Sequence, residues 1–317
     1  PAYFGALLLD GDHMGKWLQG RNTPRVREIM HPDLVRYFEG LSDPAGSVRA
    51  ALDARRHTGP TIHAAISEAL GTFSLHVVPR VVEDSRGELI YAGGDDVLAL
   101  LPVETALGCA LRLYRGFRGE LGPADDWPEA PEGFVRLAEE EPERLAMGPL
   151  ATASCGIAIV HYKDDLRAAL AAARRAEKAA KEGGRDRLGL IARRRSGEHS
   201  LSVVPWRMLP LLDALVRLYA REDAPTDRWA YKLRAAADGL GGLPVEAITL
   251  EIERLIARTE EDNQLRPTLL GLARELWTLH AASHPEAADG ATTRELVESF
   301  AILIQTASFM ARGRDDR

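Results

Sequence analysis

Residues 88–102 read ELIYAGGDDVLALLP, two short apolar runs separated only by Gly-Gly-Asp-Asp. A chain that must reverse within four residues, with glycines that accept positive φ, is confined to a tight β-hairpin. Strands are therefore expected over Glu88–Ala92 and Val97–Leu101, with Asp95 and Asp96 at the turn. A second constraint lies at Tyr3–Asp10, where YFGALLLD is a nearly unbroken apolar run that ends on Asp10. That is the pattern of a central strand covered on both faces.

The rest of the first 205 residues mixes strand-like and helical periods. GDHMGKWL follows Asp10 as a tight turn opening a short helix, and Arg21–Pro60 reads as an irregular surface insert with a helix near Leu34–Phe38. Thr61–Phe73 carries helical spacing behind a capping Thr. Val103–Leu121 reads as a helix, and Gly122–Met147 as an acidic, Pro-rich, solvated excursion. ATASCGIAIVHY (Ala151–Tyr162) is another buried strand, followed by an Ala-rich helix with an acidic start and a Gly-Gly stop. Arg187–Ala192 and Ser200–Val204 form a closing hairpin around RRRSGE. This order contains the β-α-β-β-α-β kernel of a ferredoxin-like sheet.

From Trp206 to Arg317 every periodic segment is helical: about Pro205–Arg221, Asp227–Gly239, Pro244–Thr259, Arg266–Ala282 and Thr292–Met310. The expected fold class is α+β, with a first domain over 1–205 (inserts at about 21–60 and 122–147) and an all-α bundle over 206–317. Trp206, Trp229 and Trp277 are expected to be packing anchors.

The 317 residues carry a formal charge of −7, which argues against nucleic-acid binding through overall charge and leaves room for a local basic groove. No window approaches the roughly 18 uninterrupted apolar residues of a membrane-spanning helix. Cys109 and Cys155, the two cysteines, lack C-x-x-C spacing, so neither a disulfide framework nor a zinc site is expected, and a cytoplasmic location is the default. The chain begins on Pro1 directly before a strand, so a fragment of a longer protein is expected.

In a ferredoxin-like kernel the end of the first strand and the turn of the central hairpin lie side by side. Asp10 should then stand beside Asp95 and Asp96, and crowded carboxylates repel unless a cation neutralises them. Mg²⁺ or Mn²⁺ fits such an oxygen set, as a pair of ions about 3.5 to 4 Å apart in a phosphoryl-transfer site. GDHMG offers successive backbone N–H groups entering a helix, a nest suited to a triphosphate, with Lys16 close behind. Asp12 is either a further metal or base contact or a helix cap, and His13 reads as a surface residue. In AAKEGGRDR, Lys181 and Arg185 are four apart, spaced either to aim together at phosphates or to solvate a helix end.

Together LLLDGDHMGKWL, YAGGDDVLALLP, TASCGIAIV and AAKEGGRDR resemble, in order, the motifs of the GGDEF/Palm superfamily of nucleotidyl cyclases and polymerases. More narrowly, DGDHMGKWL with IYAGGDDVLALLP resembles the Palm domain of the large subunit of type III CRISPR effector complexes, particularly the Cmr branch. The helical tail is similar to that subunit's C-terminal helical domain. The resemblance implies an antiviral cyclic oligoadenylate synthetase that joins ATP through 3′–5′ linkages when its complex holds a matching target RNA. It implies Asp10, Gly11, Asp95 and Asp96 at the metals, the Gly11–Gly15 backbone, including Asp12, His13 and Met14, as the phosphate turn, and Gly93 and Gly94 making room for the nucleotide. Lys181 and Arg185 match the phosphate-binding pair, and Ser154 lines a base pocket. The implied partners are the other effector subunits, a small helical one on the C-terminal domain, guide and target RNA met mostly indirectly, and a second Palm completing the site.

Asp-Asp after Gly-Gly departs from the Glu-Phe of diguanylate cyclases, and no His-Asp dipeptide occurs, so no DNase activity is expected from this chain. Two alternatives remain: a scaffold or RNA-sensing subunit with a regulatory nucleotide site, and a stand-alone diguanylate cyclase-like enzyme, which would prefer GTP.

Overall fold

The computed structural model describes residues 2–194, 199–284 and 290–313. The chain runs β1 (Tyr3–Gly11), α1 (Met14–Leu18), α2 (Val26–Ile29), α3 (Pro32–Glu39), α4 (Ser47–Asp53) and α5 (Pro60–Thr72). A π-helical turn, Phe73–Val77, leads into α6 (Val78–Asp84), then β2 (Glu88–Gly93), β3 (Asp96–Pro102) and α7 (Val103–Arg118). A short ribbon of β4 (Phe134–Val135) and β5 (Arg144–Leu145) precedes β6 (Ala153–His161), α8 (Leu166–Glu182), β7 (Arg187–Arg193) and β8 (His199–Pro205). The chain ends in α9 (Leu209–Tyr219), α10 (Arg228–Leu240), α11 (Val245–Thr259), α12 (Leu265–Ala282) and α13 (Gly290–Arg312).

One six-stranded sheet has the order β2-β3-β1-β6-β7-β8, antiparallel except between β6 and β7. Its first four strands carry the expected kernel. Alternation of side chains across the pleat separates two apolar layers. Leu7, Leu9, Val97 and Ile157 pack with Val81, Phe117 and the helical tail, so Leu212, Phe300 and Met310 share one cluster with the sheet. Ala6, Ala158 and Val160 face the opposite way, onto Ala169, Ala172 and Ala176 of α8. The middle strand β6 is thus buried at every residue, and its continuous apolar run follows from that.

Two sequence expectations change. The helix expected to end at Phe73 continues through the π turn to Asp84, because Pro79 falls in the first turn of α6, where its missing N–H is not needed. The acidic insert is also no mere excursion, since Trp127, Val135 and Ala146 are buried in the main core, with the Arg80 guanidinium 4.3 Å from the Trp127 ring centroid. The RRRSGE turn falls partly on 195–198, outside the described residues.

Trp206, Trp229 and Trp277 are all buried, and the first two donate their indole N–H to the Ala153 carbonyl and the Tyr219 hydroxyl. Both cysteines are free and buried. Among the described residues no helix is long and apolar enough to cross a membrane.

Candidate active site

Leu9 pairs with Val97 in the β1–β3 ladder, so the next pair, Asp10 and Asp96, stands opposite across adjacent strands. Gly93 pairs with Asp96 and closes the hairpin on the two-residue turn Gly94-Asp95, with Gly94 at φ 70°. Asp95 leans over β1, and only glycine fits beneath it: a Cβ at Gly11 would lie 2.8 Å from the Asp95 Cβ. Asp10, Gly11, Asp95 and Asp96 are therefore brought together at one end of the sheet.

The cation among them comes from α8. Its N-terminus is capped by the Asp165 carboxylate, which accepts from the Arg167 N–H at 2.8 Å. The helix then lies directly on strand backbone, because a Cβ at Gly156 would come within 2.2 Å of the Glu177 nitrogen and one at Gly189 within 2.0 Å of the Ala176 carbonyl. This close approach carries Lys181 to Asp10, where its Nζ donates to Oδ2 at 2.6 Å and pairs with Glu177 Oε1 at 2.5 Å.

Electrostatics follow from that crowding. Desolvation lifts Asp95 and Asp96 above the usual carboxylate range, and the Asp10 charge raises both further. For Lys181, burial works to lower the ammonium pKa, but hydrogen bonds to Asp10 and Glu177 outweigh it and hold the group above its ordinary value. Among the described residues no group of three or more His, Cys, Asp and Glu side chains stands ready to enclose a metal, and Lys181 does the neutralising on Asp10. The donor set still suits a hard divalent cation, since it is all oxygen and carries raised carboxyls that a cation would relieve.

Asp12 neither caps a helix nor joins this cluster. Its buried carboxylate accepts from Thr152 Oγ1 at 2.9 Å, Ser154 Oγ at 2.8 Å and the Asp186 N–H at 3.0 Å, with Arg185 Nε at 3.8 Å. It ties the turn after β1 to the turn after α8. Ser154, expected in a base pocket, is instead fully buried, because helices cover both faces of β6 and its hydroxyl serves Asp12. Lys181 and Arg185 do not aim together either. Arg185 lies beyond the end of α8 at φ 62° and turns towards Asp12, whereas Lys181 turns towards Asp10.

In the phosphate turn, His13 caps α1 at φ 59°, and its imidazole is lowered by burial and then by the nearby Lys16 and Arg185 charges. His13, Gly15 and Lys16 form the exposed edge, while Met14 packs into the core. The room at Gly93 is taken by a neighbour: a Cβ there would lie 2.0 Å from the Tyr91 hydroxyl. Sequence reasoning missed Glu177, Thr152, Asp186 and Tyr91. Glu177 was visible as an acid four before Lys181 and Tyr91 as an aromatic two before Gly93, but Thr152 and Asp186 depend on contacts made at long range.

A cleft of about 450 Å³ opens beside these residues, lined by Leu8, Asp10, Asp96, Arg174, Glu177 and Lys181.

The model of the Cas10/Cmr2 second palm domain matches residues 3–189 of this chain. The CRISPR system Cmr subunit Cmr2 of Pyrococcus furiosus is 31% identical over 284 residues, covering 87% of this chain and 29% of that protein. The Cmr2 subunit of Saccharolobus solfataricus is 34% identical over 107 residues, covering 34% of this chain and 10% of that protein. Among solved structures, the type III-B Cmr-beta complex bound to cognate target RNA contains a chain of similar fold, with TM-score 0.57 at 18% identity, over 82% of this chain and 35% of that one. The apo state of Cmr-beta gives TM-score 0.54 at 15% identity, over 83% and 34%. The chain thus spans about a third or less of each of these relatives.

Proposed function

The chain belongs to the Cas10/Cmr2 second-palm family, and from that premise we propose that it is the nucleotidyltransferase palm of a type III CRISPR large subunit, making cyclic oligoadenylate from ATP. The observation that carries this reading is Asp10 facing Asp96 across adjacent strands, with Asp95 beside them and Lys181 bound to Asp10. Phosphoryl transfer asks for positioning and charge neutralisation rather than a protein nucleophile, and this cluster supplies both.

Asp10, Asp95 and Asp96, with the Gly11 carbonyl, would hold Mg²⁺ or Mn²⁺, which supplies Lewis acidity and lowers the pKa of the attacking hydroxyl. Lys181 sits within reach of the same space and neutralises phosphate charge as the nucleotide enters. The exposed edge of the turn at His13, Gly15 and Lys16, with Arg185 behind it, receives the triphosphate. Asp12 fixes that turn against the end of α8, so Arg185 and the turn keep their spacing. The 3′-hydroxyl of one ATP attacks the α-phosphate of another, and pyrophosphate leaves.

The surrounding assembly is part of the proposal: other effector subunits, a small helical subunit on the C-terminal helices, guide and target RNA, and a second palm completing the site. The test is Asp95→Ala/Asp96→Ala in the assembled complex with target RNA. Loss of cyclic product with assembly intact is expected, and synthesis at the wild-type rate would sink the catalytic reading.

A further inference from the structure

The turn that carries Arg185 is held in an unfavourable backbone conformation. After Gly184 at φ 114°, Arg185 and Asp186 stand at φ 62° and 52°, in the left-handed region where a Cβ crowds the following carbonyl. Two such residues in succession persist only where their surroundings fix them from several sides. On the β1 side the Asp186 N–H donates to the Asp12 carboxylate at 3.0 Å, while the Arg185 N–H donates to the Ala180 carbonyl of α8 at 3.1 Å. On the other side the Asp186 carboxylate accepts from the Tyr114 hydroxyl of α7 at 2.7 Å.

Tyr114 is itself firmly seated. Its ring is buried and stacks on Trp206, with centroids 4.4 Å apart and planes 16° from parallel. Trp206 opens the short turn that begins the helical tail, and its indole N–H holds the carbonyl of Ala153, the residue paired with Gly11 in the β1–β6 ladder. The Arg118 guanidinium lies 5.1 Å from the Tyr114 ring centroid and donates to the Tyr114 hydroxyl at 3.0 Å and to the Ala151 carbonyl at 3.3 Å. With Arg118 occupying a lone pair, the phenol hydrogen is directed at Asp186. Burial, and then the bond to Asp186, push the phenol well above its ordinary pKa, so it stays a donor.

We propose that Tyr114 is a positioning residue for Arg185: its hydroxyl, seated by Trp206 and Arg118, holds Asp186 so that the left-handed turn presents the Arg185 guanidinium to the phosphates of ATP. The inference rests on the nucleotidyltransferase reading above and adds the device that sets its phosphate-side cation. Asp12 does not fix the guanidinium directly, because its Oδ1 lies 3.8 Å from Arg185 Nε, beyond hydrogen-bond length. Asp186 is bonded at both its N–H and its carboxylate, so holding it holds the backbone from which Arg185 springs. The Arg185 side chain is 40% exposed, which leaves it accessible to a ligand, and its charge reaches His13 in the phosphate turn. Loss of the Tyr114 bond frees one side of a strained turn and lets the guanidinium wander. A cation that grips phosphates before and during transfer alike acts on KM rather than on kcat.

The test uses the intact complex with Mg²⁺ and target RNA. Tyr114→Phe keeps the ring against Trp206 and removes the hydroxyl, and should raise KM for ATP about five-fold with kcat largely kept. Asp186→Ala breaks the same bond at an exposed residue and should do the same, while Asp186→Asn, which still offers an oxygen to the phenol, should keep the wild-type KM. Tyr114→Phe added to Arg185→Met should raise KM no further than Arg185→Met alone, because the group being positioned is gone. Wild-type KM in Tyr114→Phe or in Asp186→Ala would overturn the proposal. A further rise on the Arg185→Met background would overturn it too, since that is the result of a merely structural role. Asp95→Ala/Asp96→Ala separates the two readings: synthesis retained in that variant removes the catalytic reading itself, whereas synthesis lost there with wild-type KM in Tyr114→Phe removes only the positioning role.

Discussion

The Lys181 ammonium donates to the Asp10 carboxylate across 2.6 Å, joining the end of α8 to the end of β1 over 171 positions of sequence. Both partners are partly buried, so the pair is worth more than an exposed salt bridge, yet it shares its ammonium with Glu177. Lys181→Met should cost about 1 to 2 kcal/mol in urea unfolding without metal, because Asp10 and Glu177 both lose their cation. Added Mg²⁺ should recover part of that loss, and a variant as stable as wild type would show the pair to be unimportant.

Asp95 and Asp96 make the metal-free protein pH-sensitive. Their folded pKa values are raised, chiefly by desolvation, so their contribution to stability is complete below the unfolded carboxyl pKa and is lost as pH rises through the folded values. Asp95→Asn/Asp96→Asn should therefore melt higher than wild type at pH 7 without divalent ions. The gap should close below about pH 4. Mg²⁺ should raise the melting temperature of wild type only, as thermal scans across pH with and without Mg²⁺ would record.

Gly156→Ala tests the seating of α8. The added methyl would lie 2.2 Å from the Glu177 nitrogen and 2.3 Å from the Ala173 carbonyl, so the helix must move away from the sheet. A loss of about 3 kcal/mol is expected. Lys181 should leave Asp10 with it, so product synthesis should fall at temperatures where the variant is still folded.

His280 in α12 gives the helical tail an acid limit. It is buried, and desolvation followed by the charge of His284 lowers its pKa from 6.5 to about 3. A folded pKa below the unfolded one means that its stabilising effect is present above pH 6.5 and is lost as pH falls towards 3. About 2 kcal/mol should be gone by pH 5. His280→Gln should flatten the dependence between pH 6.5 and 4, and an unchanged profile would assign acid sensitivity to other groups.

What the sequence determined by itself is what local pattern can encode. Apolar runs without alternation named β1 and β6 as central strands, Gly-Gly between apolar runs named the hairpin, and acids at the ends of both placed Asp10, Asp95 and Asp96 together. Those inferences needed only strand period, turn chemistry and the repulsion of like charges. The tertiary structure decided the partners. Asp12 could cap, ligate or stay buried on local grounds, and became a clamp because Thr152, Ser154 and the Asp186 N–H converge on it from distant segments. Lys181 and Arg185 share a spacing but not a target, because α8 ends at Glu182 and the left-handed turn that follows swings Arg185 away. Backbone period and turn type are local properties of a chain, while which side chain fills a space or meets a charge is set by elements that meet only when the sheet closes and α8 docks on Gly156 and Gly189.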